Sequence, residues 1–290
     1  MQIRKILLLI ILCISLGYDI LDIPFNSIAL ANSGGGRSIE IEGSYNTEPT
    51  SNININKRVF GCSYIRYPAS INYMSIYTLG MKRSYNFSFL DFGRLVDGIT
   101  EKSFSAYNLL IETSDNYKLF NKLGFGYRTG VVFAKIDNYY SGSVILSLSA
   151  RTRLKSDVLG WSIAINNLSL LIYESEGYGT KTPIVVNASC YYRPKYIDGY
   201  ISVDIRYEDQ FKTMVGTLSA HVQLAEKIKI LSSINSNKLD YHIGNIGNDF
   251  FSGMGLGIEY QFRKYCVSIG LHNLGALGLI SGLSIRTLSK

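Results

Sequence analysis

The chain has 290 residues, of which 18% are charged and 47% are hydrophobic, and its formal net charge at pH 7 is +7. Because soluble globular domains carry about 25% charged residues, this composition favours a membrane protein. A transmembrane helix needs about 20 consecutive apolar residues, and the charge-free window 265–285 is interrupted by His272, Asn273 and several glycines. With 22 Tyr and only five Pro, we expect a chain that crosses the membrane with strands.

The N-terminus has the features of a secretory signal peptide. Arg4 and Lys5 precede an apolar run from Ile6 to Ile14, and small residues follow at the spacing that signal peptidase prefers. We expect cleavage after Gly17, with cleavage after Ala31 as the alternative. Cleavage after Gly17 removes two basic residues and no acidic one, which leaves 27 basic against 22 acidic residues and a net charge of +5.

Apolar and polar residues alternate over most of the remaining chain. The pattern is clear from Ile201 to Tyr207, from Leu218 to Leu224 and from Met254 to Phe262. A period of two is typical of strands with one apolar and one polar face. Many such strands follow one another without a helical segment, and in a bilayer every backbone N–H and C=O must be paired. The strands are therefore predicted to close into a barrel.

Fourteen segments carry the strand pattern, and a weaker fifteenth, 37–45, is left out. An up-and-down barrel with both ends on one side of the membrane needs an even number of strands. The predicted fold class is all-β, an antiparallel transmembrane outer-membrane β-barrel of about 14 strands. The predicted strands are 57–66, 71–80, 83–92, 103–119, 123–134, 142–154, 158–170, 183–193, 200–207, 214–224, 228–235, 251–262, 265–272 and 279–288.

The lengths of the connections predict how the barrel is oriented. Short turns such as Asn121–Lys122 and Arg263–Lys264 alternate with longer links. Outer-membrane barrels have short turns in the periplasm and long loops outside the cell. We therefore expect the outer membrane of a Gram-negative-type bacterium, with the longer links on the cell surface. These longer links are 135–141, 173–181, 208–213 and 236–249.

Short motifs, in order along the chain, resemble the PorV/PorQ family of outer-membrane proteins. The matching segments include Ile20–Gly35, Tyr67–Tyr73 and Gly270–Gly275. The resemblance implies a FadL-like barrel, an N-terminal segment inside its lumen and a role in type IX secretion. Three regions are predicted: a signal peptide at 1–17, a plug-like segment at 18–36 and the barrel at 37–290. The plug motif comprises Ile23, Pro24, Gly34 and Gly35.

Strand alternation places a set of charged and polar residues on the inner face of the barrel. We interpret them as a hydrogen-bonded network that stiffens the barrel, because an unpaired charge inside it would be costly. The alternative is a polar conduit or a site for a guest segment. The predicted luminal residues are Arg128, Arg151, Arg153, Asp204, Arg206, His221 and Glu259.

The sequence predicts no catalytic residues, no metal site and no cofactor. His221, His242 and His272 have no partners at the spacings that catalytic or metal motifs require. The three cysteines that remain after export include no CxxC pair. Basic residues are scattered rather than clustered with aromatic ones, so a nucleic-acid partner is not expected. We predict a non-enzymatic protein.

An outer-membrane hydrolase would require a His beside an Asp or Ser, and two non-enzymatic functions remain. In the first, implied by the PorV/PorQ resemblance, the loops Tyr173–Lys181 and Ser236–Asp249 dock a partner or a secreted protein at the cell surface. Its expected partners are outer-membrane lipid and secretion-system or surface proteins. The alternative is FadL-like transport of hydrophobic small molecules, with Tyr18–Gly36 as a luminal plug. An apolar luminal pocket would favour transport, whereas a lumen packed with paired charges and without a pocket would favour docking.

Overall fold

The fold is a closed barrel of fourteen antiparallel strands, in which β1 pairs with β14. The computed structural model describes residues 19–21, 23–39, 48–52, 58–80, 83–96, 102–119, 123–154, 158–175, 182–210, 212–239 and 251–287. The strands are β1 Val59–Arg66, β2 Asn72–Leu79, β3 Arg83–Val96, β4 Ser103–Leu119, β5 Leu123–Ile136, β6 Tyr139–Leu154, β7 Leu159–Glu174, β8 Val185–Tyr192, β9 Gly199–Glu208, β10 Thr213–Ala225, β11 Ile228–Asn235, β12 Met254–Phe262, β13 Tyr265–Asn273 and β14 Leu279–Thr287.

The predicted fold class is confirmed, and each predicted strand corresponds to one strand of the barrel. One predicted link is wrong. Residues 135–141 were expected to form a longer surface loop, but β5 and β6 are joined by a tight turn at Asp137 and Asn138. Asp137 has a positive φ of 53°, a conformation that Asp and Asn tolerate better than most residues. A two-residue hairpin is therefore possible there.

The two faces of the wall differ in chemistry. On β7, Trp161, Ile163 and Ile165 are exposed, whereas the residues between them are buried. The same alternation appears on β1, β8, β12 and β14. Exposed positions carry mainly aliphatic and aromatic residues, and buried positions include many Ser and Asn. An apolar outer belt and a polar interior are the pattern of a transmembrane barrel.

No helix among the described residues is both long and apolar enough to cross a bilayer.

The connections divide the barrel into two rims. At the turn rim the odd-numbered strands begin and the even-numbered strands end, and its fully described connections are 193–198, 226–227 and 263–264. At the loop rim the odd-numbered strands end and the even-numbered strands begin, and its fully described connections are 67–71, 137–138 and 274–278. Since short turns mark the periplasmic side of outer-membrane barrels, we expect the turn rim to face the periplasm and the loop rim to face the cell exterior.

The described part of the N-terminal segment lies inside the barrel. A short helix, α1 (Ser27–Ala31), begins after Asn26, whose Oδ1 accepts a hydrogen bond from the Ala29 amide at 2.8 Å. Residues 37–39 and 48–50 are also buried. The wall therefore begins at Val59, and the residues between 37 and 58 that the structure describes are not part of it. The predicted signal peptide, 1–17, lies outside the described residues.

Candidate functional site: the barrel lumen

Glycines on the inner wall make room for α1. A Cβ at position 270 would overlap the carbonyl group of Ser27, and one at position 255 would overlap that of Ala31. Because glycine has no Cβ, the helix backbone can lie directly against β12, β13 and β14. Sequence analysis gave these glycines no role, although they recur on the inner face of neighbouring strands. The four glycines that contact α1 are Gly255, Gly257, Gly270 and Gly282.

Wall serines satisfy the polar groups of the helix. The hydroxyl of Ser27 lies 2.7 Å from that of Ser268, and the Ser27 amide donates to Ser284 Oγ at 2.9 Å. At the other end of α1, Ser233 Oγ donates to the Ala31 carbonyl at 2.8 Å. Buried polar groups are costly unless hydrogen-bonded, so these serines stabilise the helix where it lies.

Asp204 on β9 binds the chain after α1. Its two carboxylate oxygens accept hydrogen bonds from the amides of Gly36 at 2.8 Å and Arg37 at 3.1 Å. Arg151 donates from Nη2 to the carbonyl of Arg37, and His221 Nε2 is hydrogen-bonded to a residue just after α1, Asn32, at 2.9 Å. Three of the predicted luminal residues therefore hold the N-terminal segment rather than lining an open conduit.

A second part of the segment, 48–52, contacts the opposite wall. The Thr50 amide donates to Ser149 Oγ at 2.9 Å, and Pro49 lies against Gly126. The Glu48 side chain is fully buried, and burial raises the pKa of its carboxyl group above the ordinary 4.5. The positive charges of Arg151 and Arg37 oppose that effect.

Ion pairs cross-link the inner faces of the strands. Arg128 lies 3.1 Å from Glu112, and Arg286 lies 2.7 Å from Glu259, with the side chains of both pairs buried. Each pair joins two strands, and burial of an ion requires such a partner. The paired charges expected of a stiffened lumen are therefore present.

The structure places most of the predicted luminal residues as expected. Arg206 is half-buried and lies 3.1 Å from Glu208. Arg153 lies on β6, but its side chain is outside the described part of the chain. The remaining predicted residues are buried inside the barrel: Arg128, Arg151, Asp204, His221 and Glu259. Their roles in function stay predictions.

A pocket of about 370 Å³ opens in the loop-rim half of the lumen. Residues of the predicted plug motif, Ile23, Pro24 and Gly34, line it together with β9, β10, β11, β13 and β14. Apolar and polar groups share the lining. The buried Asn235 Oδ1 and His272 Nε2 have no hydrogen-bond partner among the described residues. The fourth residue of the motif, Gly35, instead packs against Thr217 and Ser219.

The wall changes character halfway along β7. Asn166 and Asn167 together oppose Ser147 of β6, and Asn167 has a positive φ of 65°. These are the marks of a β-bulge. β8 pairs with β7 only between Leu159 and Asn166. Beyond the bulge, β7 continues to Glu174 with β6 as its partner strand, and among the described residues no strand pairs with its other edge.

The unpaired end of β7 is apolar and exposed on both faces. Leu170 and Ile172 are 71% and 62% exposed, and the residues that alternate with them, Leu171 and Tyr173, are exposed too. A groove of about 870 Å³ lies beside this end of the strand. It is lined by β6, β7 and the connections around Thr182, Ile184, Asp209 and Gln210. Sequence analysis predicted a strand over 158–170 but neither the bulge nor the groove.

The described residues contain no group of three or more His, Cys, Asp or Glu that could hold a metal ion. His221 is bonded to Asn32, and His242 lies outside the described part of the chain. The three cysteines that the structure describes, Cys62, Cys190 and Cys266, are free thiols.

No model of a known protein family matches the sequence, and no curated protein does either. Solved structures match the fold. The toluene transporter TbuX of Ralstonia pickettii superimposes with a TM-score of 0.60 at 7% identity, over 92% of this chain and 98% of that one. The Pseudomonas putida toluene transporter TodX gives 0.54 at 10% identity, over 90% and 96%. A Pseudomonas aeruginosa FadL homologue gives 0.55 at 9% identity, over 90% and 98%.

These similarities show the fold of the chain. The chain has the fold of a FadL-like outer-membrane barrel, with the lipid-facing surface that such a barrel needs. The matched structures are described as transporters and a FadL homologue. The narrower resemblance to PorV/PorQ proteins is not shown by these comparisons.

Proposed function

We propose that this chain is an outer-membrane channel for small hydrophobic molecules, which corresponds to the alternative that the sequence left open. The observation that carries the proposal is the apolar end of β7, exposed on both faces and unpaired with β8. A hydrophobic molecule gains about 25 cal/mol for each Å² of apolar surface that it removes from water. An apolar groove in the wall offers it a route between the barrel and the bilayer.

The groove also touches the apolar part of the barrel interior. Ile145, on the inner face of β6, lines the groove and is 1% exposed. It belongs to a buried apolar cluster that includes Leu110 of β4, Val132 of β5 and Phe25 of the N-terminal segment. A molecule in the groove would therefore lie next to an apolar surface that reaches into the lumen.

The luminal pocket suits the same class of ligand. Ile23, Pro24 and Ile280 supply apolar surface, while Asn235 and His272 present polar atoms without described partners. Ligand pockets commonly combine an apolar lining with a few polar groups that fix orientation. The pocket would hold a molecule with an apolar body and a small polar end.

A second candidate is the docking of a partner protein on the loop rim. It is favoured by the lumen itself, where buried ion pairs and the N-terminal segment occupy much of the interior. The loops proposed for docking lie mainly outside the described residues: 176–181 and 240–250. Transport and docking make different predictions for a variant that fills the groove.

Uptake by proteoliposomes tests the proposal. Ser169 lines the groove, and Ser169→Trp would fill part of it. We expect uptake of labelled toluene and of a long-chain fatty acid to fall several-fold. The matched control is Leu218→Trp, because Leu218 faces lipid on β10, away from the groove.

The transport proposal would be contradicted if vesicles that contain the unmodified barrel took up no more of either compound than protein-free vesicles do. Uptake that is unchanged by Ser169→Trp would contradict the route along β7. Recovery of a surface protein with the tagged barrel from native membranes, combined with absent uptake, would favour docking.

A further inference from the structure

The two rims of the barrel differ in charge. On the turn rim, the exposed cations include Arg58, Lys118, Lys195, Lys227, Arg263 and Lys264. The exposed acids of this rim that the structure describes are Asp198, which pairs with Arg193 at 3.1 Å, and Glu226. Asp115, which pairs with Arg83, is buried. The turn rim therefore carries a surplus of positive charge.

The loop rim is balanced by comparison. Its exposed or half-buried cations outside the lumen, among the described residues, are Arg66, Arg94, Lys102, Lys135 and Lys212. Exposed or half-buried acids on the same rim are Asp91, Asp137, Glu174 and Asp209. The asymmetry is therefore a property of the turn rim and does not simply follow from the net charge of the whole chain.

Two of the turn-rim cations lie beside lipid-facing aromatic rings. The guanidinium carbon of Arg263 is 5.3 Å from the ring centroid of Phe262, and Lys264 Nζ is 5.5 Å from that of Tyr265. Both rings are exposed on the outside of the barrel. Lys195 Nζ lies 5.6 Å from the ring centroid of Tyr196. Aromatic girdles mark the level of the lipid headgroups, so these cations lie at the level of the phosphates.

The cations surround the barrel instead of forming one patch. Arg58 precedes β1, Lys118 is the penultimate residue of β4, Lys195 lies between β8 and β9, and Lys227 lies between β10 and β11. A partner protein would cover one side of the rim, whereas annular lipid contacts the whole circumference. Lys195, Lys227, Arg263 and Lys264 make no ion pair with a described residue, and each has a charge available for an outside partner.

We propose that the turn rim is a binding belt for anionic phospholipid in the leaflet that faces the periplasm. Each ammonium or guanidinium group would bind a lipid phosphate at the point where the aromatic girdle meets the headgroups. Basic residues close to a membrane surface attract anionic lipid. The attraction falls with salt because exposed charges are screened.

The test compares two matched quadruple variants of the purified barrel. The first replaces four turn-rim cations: Lys195→Gln, Lys227→Gln, Arg263→Gln and Lys264→Gln. The control replaces four loop-rim cations: Arg66→Gln, Arg94→Gln, Lys102→Gln and Lys212→Gln. Each barrel is placed in phosphatidylcholine nanodiscs with increasing phosphatidylglycerol, and the retained lipid is counted by native mass spectrometry. Heat-modifiable gel mobility checks that each variant is folded.

We expect the unmodified barrel to retain phosphatidylglycerol in preference to phosphatidylcholine, and less so in high salt. The turn-rim variant should retain it about tenfold less strongly or worse, while the loop-rim variant should behave like the unmodified barrel. Equal retention of the two lipids by the unmodified barrel would overturn the proposal, as would an equal loss in both variants. If the barrel bound soluble polyglutamate in preference to phosphatidylglycerol, the turn rim would instead be a site for an acidic protein.

Discussion

The carbonyl group of Ser27 lies against Gly270, in the space that a Cβ would occupy on any other residue. This contact fixes how closely α1 approaches the wall. Gly270→Val would force the helix backbone away from β13, and overpacking of this kind costs about 1–3 kcal/mol. We expect the N-terminal segment to leave the lumen more often.

Release of the N-terminal segment can be measured with trypsin, because Arg37 is a cleavage site that is buried while the segment lies inside the barrel. Cleavage after Arg37 should be faster in Gly270→Val than in the unmodified protein. The control is Gly216→Ala, since a Cβ there would meet nothing within 4 Å. Equal cleavage rates in all three proteins would mean that the glycine contact does not hold the segment.

Asp204→Asn should weaken the binding of the same segment to the barrel wall, because it disrupts a different interaction. The carboxylate accepts hydrogen bonds from the Gly36 and Arg37 amides, and bonds to charged groups contribute about 1.5–3 kcal/mol each. Asparagine keeps the shape but has one acceptor oxygen instead of two and no charge. We expect faster tryptic cleavage after Arg37. Asp91→Asn serves as the control, because among the described residues the Asp91 side chain accepts a hydrogen bond only from the nearby Gly93 amide. An Asp204 variant that resists trypsin as well as the control would argue against this anchor.

The stability of the N-terminal segment inside the lumen should depend on pH through Glu48. Burial raises the pKa of this carboxyl group above 4.5, its ordinary value, against the opposing charges of Arg151 and Arg37. Because the pKa is raised, the Glu48 carboxyl group binds its proton more tightly inside the barrel than after release of the segment. The bound state of the segment therefore becomes more stable relative to the released state as the pH falls towards 4.5.

We therefore expect more exchange of the segment amides with deuterium at neutral pH than near pH 5, after correction for the intrinsic exchange rate. In Glu48→Gln, which has no titrating proton, this difference should largely disappear. The same pH dependence in Glu48→Gln would assign it to another group.

The buried ion pair between Arg286 and Glu259 should matter more than an exposed one. Both side chains are buried, and removing one partner of a buried pair costs about 3–5 kcal/mol. Glu259→Gln should therefore lower the urea midpoint of unfolding in detergent. Asp198→Asn, which removes the exposed pair with Arg193, should cost about 1 kcal/mol or less. A smaller effect for Glu259→Gln than for Asp198→Asn would contradict this ranking.

The wall of the barrel was predictable because its chemistry is periodic. Along strands such as β12 and β14, side chains alternate between lipid and lumen, and the sequence repeats with the same period. The inward positions of luminal charges such as Asp204 and Glu259 could be predicted from the same alternation. What they bind did not follow, since the partner of Asp204 lies in a segment about 170 residues away that has no periodic pattern.

The groove was missed because a bulge shifts the phase of a strand by one residue. Leu168 and Leu170 keep the apolar phase of Leu159 to Ile165 only if Asn166 and Asn167 are counted as one position, and a second register shift follows at Ile172. Two adjacent polar residues inside an otherwise apolar strand were the available signal. The length of the β8 partner strand could not be read from β7 itself.

The strands of the wall are unequal in length. β3 to β7 have 14 to 17 residues, whereas β1, β2, β8 and β11 have eight. A transmembrane strand needs about 9–11 residues, so the eight-residue strands are slightly too short for an ordinary bilayer and β3 to β7 are longer than it requires. Hydrophobic mismatch of this kind thins the surrounding lipid. We expect the membrane to be thinner beside the short strands, so that acyl chains slope upwards around the protein towards β3 to β7.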